Sequence, residues 1–428
     1  MTKEGVCNII QIMNDFHSRQ ELLYRKRWIT PQIKAAIKSF PVVVITGARQ
    51  VGKSTLLQKE FKDFKYVSLD DFSTLQQART DPASLWIDSD RMIIDEAQKA
   101  PELFASIKST VDTKGKGKRF ILSGSSNILL MKRISETLAG RAVYFEMYPM
   151  TYSEMGNKTE SPQRFFDLWN PVSKIEESRL SILDPVPFML KGFMPSLLTL
   201  TERRDVLLWW EGYVKTYLER DVRELTQIES LIDFKRVLDS IAVRTGNVLN
   251  QTEVSRDTGV SQPTIHRYLK LLEVSNIIIR TPSYYPSRTK RITKSPKLFF
   301  IDPGLCIYLS GYYDEESIRN ARELGSFFET MVHMHIKIAA ELMVPKARVF
   351  YWRTTNGKEV DFVLEHGKRL LAIETKLTRN PSFNDAKNLL TFIKEYPQAI
   401  RCLLLHSGNS IKWLHSKVLA LPWWWLWE

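Results

Sequence analysis

Hydrophobic positions along the chain change their spacing from region to region, and each spacing predicts a different element. In the first third they form short unbroken runs, Val42–Thr46, Tyr66–Leu69, Met92–Ile94, Phe120–Leu122 and Ala142–Phe145, with helical stretches between most of them. Alternating strand and helix predicts βαβ units on a parallel sheet. Past Pro149 the pattern becomes helical, with loops at Asn157–Pro162 and Asp184–Pro187. Ile265, Leu269 and Leu272 then form a buried stripe at helical spacing, and a strand at Asn276–Arg280 leads into a basic hairpin. Two alternating runs flank His366-Gly367, which reads as a hairpin with a two-residue loop. That register sets Glu365 opposite Lys368, Asp361 opposite Ala372 and Glu359 opposite Glu374. Val360, Phe362, Leu364, Leu371 and Ile373 then make the core face, and Glu359, Asp361, Glu374 and Lys376 gather on the other. Three regions follow: 1–148, 149–300 and 301–428.

Composition adds a partner class. The 428 residues are 43% hydrophobic and 25% charged, with a net charge of +13. Such an excess predicts a polyanionic partner, nucleic acid before membrane. Cys7, Cys306 and Cys402 are scattered, which suggests neither a disulfide framework nor a thiolate zinc site. The seven histidines lack metal spacing; His333 and His335, two apart in a helix, point in different directions. No apolar run reaches membrane-span length, and MTKEGVCNII lacks a signal peptide's core, so a cytoplasmic location with no membrane role is expected. The closing PWWWLWE (Pro422 to Glu428) predicts burial against the body or in a subunit interface, with base stacking or membrane contact as the alternative.

The first strand runs directly into Gly47-Ala48-Arg49-Gln50-Val51-Gly52-Lys53-Ser54-Thr55, a phosphate-binding loop with a strand before it and a helix after. Glycines let the backbone aim N–H groups at phosphate oxygens. Lys53 supplies a mobile positive charge for the β- and γ-phosphates of ATP, and Ser54 completes a Mg²⁺ shell. Arg91-Met-Ile-Ile-Asp95-Glu96 is a Walker B pattern, in which Asp95 holds Mg²⁺ through water and Glu96 polarises the attacking water. The strand at Phe120 ends in Ser-Gly-Ser-Ser-Asn127, where Ser123 or Ser125 fits the γ-phosphate sensor of additional-strand ATPases. In those proteins this strand lies between the P-loop and Walker B strands; a plain Ser/Gly turn is the other reading. Arg141 either stabilises transition-state charge, in cis or from a neighbouring subunit, or forms an ordinary loop salt bridge.

Gln251 to Leu272 has helix–turn–helix grammar. Gly259 permits the turn, Ser261 caps the second helix and Pro263 fits its first turn. Gln262, Thr264, Arg267 and Lys270 remain available for DNA. Between Leu249 and Lys297 nine Lys/Arg stand against three Asp/Glu. A winged helix over about 240–300 binds DNA or serves as a protein interface. In the last region, carboxylates directly opposite each other repel unless a cation sits among them. Asp361-x12-Glu374-x-Lys376 resembles the PD-(D/E)xK nucleases, where two acids hold Mg²⁺ and the lysine activates water; Glu329 fits the extra upstream acid. The alternatives are a decayed nuclease fold used for binding, or a polar face neutralised by Lys376 and Arg353.

Together GARQVGKST, IIDEAQ, FILSGSSN, ETLAGR, YVKTYLERDVREL, SPKLFFIDPGL, FFETMV, YWRTTNGKEVDF and IETK resemble a bacterial and archaeal family of AAA-type ATPases with a C-terminal domain of unknown function 4143. The resemblance spans nearly the whole chain. It implies an α/β protein with an additional-strand P-loop NTPase domain, a winged-helix segment and a restriction-endonuclease-like end. ATP and Mg²⁺ are the implied cofactors. The implied assembly is a homo-oligomer, a hexameric ring if Arg141 reaches a neighbour's γ-phosphate. Phe193 departs from the family's usual glycine, and Glu219, Arg220, Asp221 and Arg223 suggest a domain-joining ion network. The function expected is an ATPase that remodels or processes duplex or branched DNA; the rival is a nucleotide-switched scaffold with a protein partner.

Overall fold

The computed structural model describes residues 24–113, 117–124, 137–158, 162–170, 175–216 and 230–427. Ser125 and the charged residues Glu219, Arg220, Asp221 and Arg223 lie outside the described residues. The chain forms two compact units. One comprises the chain to Met150 with Glu154–Thr159 and Met194–Trp209; the other holds Thr151–Ser153, Glu160–Phe193 and everything from Trp210.

In the first unit, β1 (Val42–Thr46), β2 (Lys65–Ser68), β3 (Arg91–Asp95), β4 (Arg119–Ser123) and β5 (Ala142–Glu146) build a parallel sheet ordered β2-β3-β4-β1-β5. All five residues of β1 are buried, as a strand covered on both faces requires. β4 lies between β1 and β3, pairing Val44 with Leu122 on one side and Ile94 with Leu122 on the other. This is the additional-strand order. Phe104 and Ile107 of α4 (Glu102–Thr113) pack with Trp86 and Phe120 against the central strands. Earlier in the chain, α1 (Thr30–Ser39), α2 (Lys53–Glu60) and α3 (Phe72–Thr80) complete the unit's main helices.

Because the strands are parallel, every strand-to-helix turn leaves the same edge. The loop after β1, Glu96 after β3 and Ser123-Gly124 at the end of β4 are thereby brought together. Arg141 precedes β5, and its carbonyl accepts from Val42 N, so it sits at the opposite edge. The separation is about five strand residues, roughly 16 Å.

The second unit begins its helical part with α5 (Leu231–Ala242), α6 (Gln251–Thr258) and α7 (Gln262–Val274). Asn250 caps α6, Gly259 ends it at φ 71°, and the Ser261 hydroxyl accepts from Thr264 N. β7 (Ile278–Thr281) pairs antiparallel with β8 (Lys297–Phe300). The strand starts later than Asn276, because that residue takes φ 51° and Ile277 N donates to Leu272 O to close the helix.

A seven-stranded mixed sheet follows. β6 is Ser178–Arg179, β9 Arg348–Arg353, β10 Glu359–His366, β11 Arg369–Lys376, β12 Ala399–His406, β13 Ser410–His415 and β14 Val418–Pro422. Their order is β6-β13-β14-β12-β11-β10-β9. Phe362 and its partner Ile373 share one face with His333 of α8 (Leu324–Glu341). Val363 and Ala372 face Leu389 and Phe392 of α9 (Lys387–Glu395).

The hairpin register differs from the expected one. His366 pairs with Arg369, Glu365 with Leu370 and Phe362 with Ile373, so the loop is Gly367-Lys368, with Gly367 at φ 63°. Side chains alternate with period two, so a slip of two residues preserves the faces. A bulge between Val360 and Val363 moves Val360 onto the α9 face, away from Phe362. Of the terminal tryptophans Trp423, Trp424 and Trp427 are buried and Trp425 is half-buried: Trp423 packs on Tyr152 and Phe188, and Trp427 on Phe165.

Candidate nucleotide site and acid cluster

The loop after β1 has the conformation its glycines predict. Gly47 takes φ 145°, and a Cβ there would lie 2.1 Å from the Met147 carbonyl oxygen. Gly52 takes φ 92° at the N-cap of α2, and Gln50 between them takes φ 64°. Ala48 and Val51 are buried, Arg49 and Gln50 exposed, and Ser54 and Thr55 half-buried. Arg49, Gln50, Lys53, Ser54, Thr55 and Glu96 line a cleft of about 350 Å³, within the range of small-molecule sites. Tyr24, Met150 and Leu198 add apolar wall.

Lys53 is 7% exposed, and its ammonium donates to the Gly47 and Ala48 carbonyls at 2.8 Å each. Burial pulls its pKa down to about 8, against the opposing pull of Glu96 and Asp95. Asp95 is held on both sides: Tyr66 Oη donates to Oδ2 at 2.6 Å, and the Ser123 hydroxyl and Glu96 N donate to Oδ1. Glu96 sits at φ 55°, with its carboxylate bonded by Gln98. Burial raises its pKa, with Lys53 opposing. Ser54, at the first turn of α2, and the Asp95 carboxylate at the end of β3 are oxygen donors of the kind Mg²⁺ takes.

Two contributors were invisible in the sequence. Arg27 is 6% exposed and donates to Val51 O, Tyr148 O and Pro149 O at 2.7, 2.7 and 2.9 Å; Glu154 is its ion-pair partner at 3.2 Å. It fixes the entry segment to the loop. Ser196 Oγ donates to Gln50 Oε1 at 3.2 Å, placing the Pro195–Thr199 turn beside the P-loop. Arg141 forms a two-pronged ion pair with Asp112, 2.6 and 2.9 Å, at the edge away from Lys53. A contribution in cis to this unit's own phosphates does not follow from that position.

The acid cluster of the second unit gathers differently from expectation. Glu329 and Glu359 bond the ammonium of Lys297 at 2.7 and 2.5 Å, and Asp361 lies 3.8 Å from it. Asp361 Oδ2 accepts from Thr375 N and Oγ1, while Glu374 pairs with Lys376 at 3.0 Å. Among the described residues no three acidic, histidine or cysteine side chains are arranged to hold a metal ion. Lys297 forms no local sequence pattern, because its partners lie 32 and more residues downstream. The available signal was a lysine beside the apolar run Leu298-Phe299-Phe300.

His333 and His335 diverge as expected: one bonds Thr281 and stacks on Phe299, the other accepts from Tyr152 N. On α7, Gln262, Arg267 and Lys270 are exposed and Thr264 is half-buried, on the side opposite buried Ile265, Leu269 and Leu272. No described helix is long and apolar enough to cross a membrane.

Residues 39–156 match the AAA domain family, 186–316 the domain of unknown function DUF8612, and 324–426 the domain of unknown function DUF4143. The chain is 27% identical over 403 residues to the uncharacterized protein Rv2008c of Mycobacterium tuberculosis, covering 94% of this chain and 84% of that one. It is 22% identical over 410 residues to the uncharacterized protein MJ1544 of Methanocaldococcus jannaschii, covering 91% and 85%. Among solved structures, the Walker-type ATPase PABY2304 of Pyrococcus abyssi is similar at 16% identity and a TM-score of 0.43, over 65% of this chain and 94% of that one. With an AAA domain at 39–156 and a DUF4143 domain at 324–426, the chain carries both domains of the bacterial and archaeal AAA-type P-loop ATPases that its motifs resemble.

Proposed function

We propose that the protein hydrolyses ATP with Mg²⁺ and couples turnover to remodelling of bound duplex or branched DNA. The observation that carries the reading is the convergence of Lys53 and Ser54 with Asp95 and Glu96 at one sheet edge, β4 being interposed. Lys53 is the cation for the β- and γ-phosphates, exchanging its two carbonyl partners for phosphate oxygens. Ser54 and Asp95 are the residues that would hold Mg²⁺, which supplies charge neutralisation on the phosphates. Tyr66 and Ser123 fix the Asp95 carboxylate. Glu96 accepts the proton of the attacking water, and its burial, which raises its pKa, makes its carboxylate a stronger base.

The DNA assignment is supported by the net charge of +13 and by exposed Gln262, Arg267 and Lys270 on the second helix of a helix–turn–helix. The β7–β8 pair stands where a wing would. Arg141 acts in this reading only from a neighbouring copy in a homo-oligomer.

A second reading, a nucleotide-switched scaffold with a non-cleaving nuclease-like end, is favoured by one observation. Lys297 occupies the centre of the acid cluster in which Glu329, Asp361 and Glu374 were expected to share Mg²⁺. The element order α8-β9-β10-β11-α9-β12 supports nuclease-like ancestry, and Lys297 argues against cleavage.

The test is ATP turnover by the purified protein with duplex, branched and single-stranded DNA. Stimulation by DNA together with salt-sensitive binding is the expected result. Turnover that none of the three changes, with no salt-sensitive binding, overturns the DNA assignment and leaves the scaffold reading.

A further inference from the structure

Holding a divalent cation requires carboxylate oxygens that converge on one point and are free to bond there. In the second unit that point is taken. Lys297 is 2% exposed, and its ammonium lies 2.7 Å from Glu329 Oε1, 2.5 Å from Glu359 Oε1 and 3.8 Å from Asp361 Oδ1. The Tyr351 ring adds a cation–π contact at 5.8 Å. The second oxygen of Asp361 is engaged by Thr375, N at 2.7 Å and Oγ1 at 2.8 Å. Glu374 Oε1 pairs with Lys376 Nζ at 3.0 Å, and Glu359 Oε2 lies 3.7 Å from Arg353 Nε.

Charge is therefore nearly balanced from within the chain. The carboxylates of Glu329, Glu359, Asp361 and Glu374 meet the cations of Lys297, Lys376 and Arg353, all within 4 Å. An ammonium is a compact point charge with three donors, and three carboxylates surround this one. It does for the cluster what a small divalent ion does elsewhere: it cancels repulsion between acids that would otherwise not share a buried space. Glu374 Oε2 is buried without a hydrogen-bond partner, so the cluster retains a buried oxygen donor for a cation.

We propose that Lys297 is a built-in counter-ion that keeps this cluster closed to divalent cations, and that Glu329, Glu359, Asp361 and Glu374 are a latent site for a hard, oxygen-preferring ion such as Mn²⁺ or Mg²⁺. The ammonium and the metal ion compete for the same oxygens. This inference is independent of the nucleotide reading, since the residues belong to the second unit and its test uses no ATP.

The experiment is Mn²⁺ titration of the full chain without nucleotide, read by the electron paramagnetic resonance of free Mn²⁺ and by thermal melting. Asp95→Asn is the background throughout, which removes the Walker B carboxylate. With Lys297 present, no Mn²⁺ binding that depends on Asp361 is expected. Adding Lys297→Met creates one Mn²⁺ site per chain, raises the melting temperature by about 5 °C at saturating ion, and loses both effects when Asp361→Asn is added. A requirement for Mn²⁺ during refolding of the Lys297→Met chain is the same result in another form. Lys297→Met/Glu329→Gln carries one buried charge fewer and gives a folded comparison should the single variant not fold. The proposal is overturned if the Lys297-containing protein binds Mn²⁺ in a manner that Asp361→Asn abolishes. It is equally overturned if the folded Lys297→Met or Lys297→Met/Glu329→Gln chains bind none.

Discussion

Lys53 costs the nucleotide-free protein stability, and its replacement by methionine makes that cost measurable. The ammonium is buried and held only by neutral carbonyls, Gly47 O and Ala48 O. Burial lowers its pKa from 10.5 to about 8, which corresponds to about 3 kcal/mol of disfavoured charge at neutral pH. The two hydrogen bonds return about 1 kcal/mol. Lys53→Met, similar in length and uncharged, therefore stabilises the first unit by about 2 kcal/mol, or about 4–8 °C in melting temperature.

The sign with pH is fixed. The folded pKa lies below the unfolded one, so the folded state binds fewer protons between pH 8 and 10.5. The penalty is complete below about 8 and disappears as pH rises through 10.5. The gain from Lys53→Met should accordingly be largest at pH 7 and fade by pH 10.5. Differential scanning fluorimetry across that range reads it, using the transition that MgATP raises in the wild type; MgATP should leave the variant unmoved. The reasoning is falsified if the variant melts below wild type at pH 7, or if the difference between them does not change with pH.

Tyr66→Phe removes the 2.6 Å donor to Asp95 Oδ2 and should raise the Mg²⁺ concentration for half-maximal ATP turnover about 10–100-fold; an unchanged Mg²⁺ titration refutes a positioning role. Gly47→Ala forces a Cβ to within 2.1 Å of Met147 O and should cost about 1–3 kcal/mol along with MgATP protection, both read by thermal melting. Arg267→Ala and Lys270→Ala, on the exposed face of α7, should each lower the slope of log binding constant against log salt by about 1 for duplex DNA. Slopes equal to wild type would remove that face from the DNA contact.

What could be read from the sequence follows the range of each interaction. The P-loop was legible because its glycines answer backbone demands within eight residues, as the φ values at Gly47 and Gly52 bear out. The position of β4 between β1 and β3 followed from the resemblance to additional-strand ATPases, and the pairing of Leu122 with both Val44 and Ile94 places it there. The hairpin was located but mis-registered, because His366-Gly367 and Gly367-Lys368 are both credible two-residue loops and alternation cannot separate registers that differ by two. Arg27 left no pattern, since its partners are carbonyls, which every residue carries. Tyr66 passed as one more residue of a strand run. Arg141 was found, but only the parallel sheet reveals which edge it occupies.

Lys53 and Lys297 share a residue type and near-complete burial, and the difference in their partners separates what the two units can do. Desolvation disfavours both ammonium groups. Lys53 has two neutral carbonyls and no direct ion pair, so its pKa falls. Anionic oxygens entering the cleft would gain a charge-assisted hydrogen bond and relieve the same desolvation. Lys297 has Glu329 and Glu359 in contact and Asp361 close by, and these carboxylates outweigh burial and push its pKa up. Its charge is already committed, and a ligand can reach those oxygens only by displacing it. A buried cation left short of negative partners marks a place where binding can be strong. A buried cation with partners in excess marks a place where binding has been replaced by structure. On that criterion the cleft around Lys53 fits the proposed nucleotide site, and the acid cluster fits the proposed latent site, closed as long as the Lys297 ammonium stays in place.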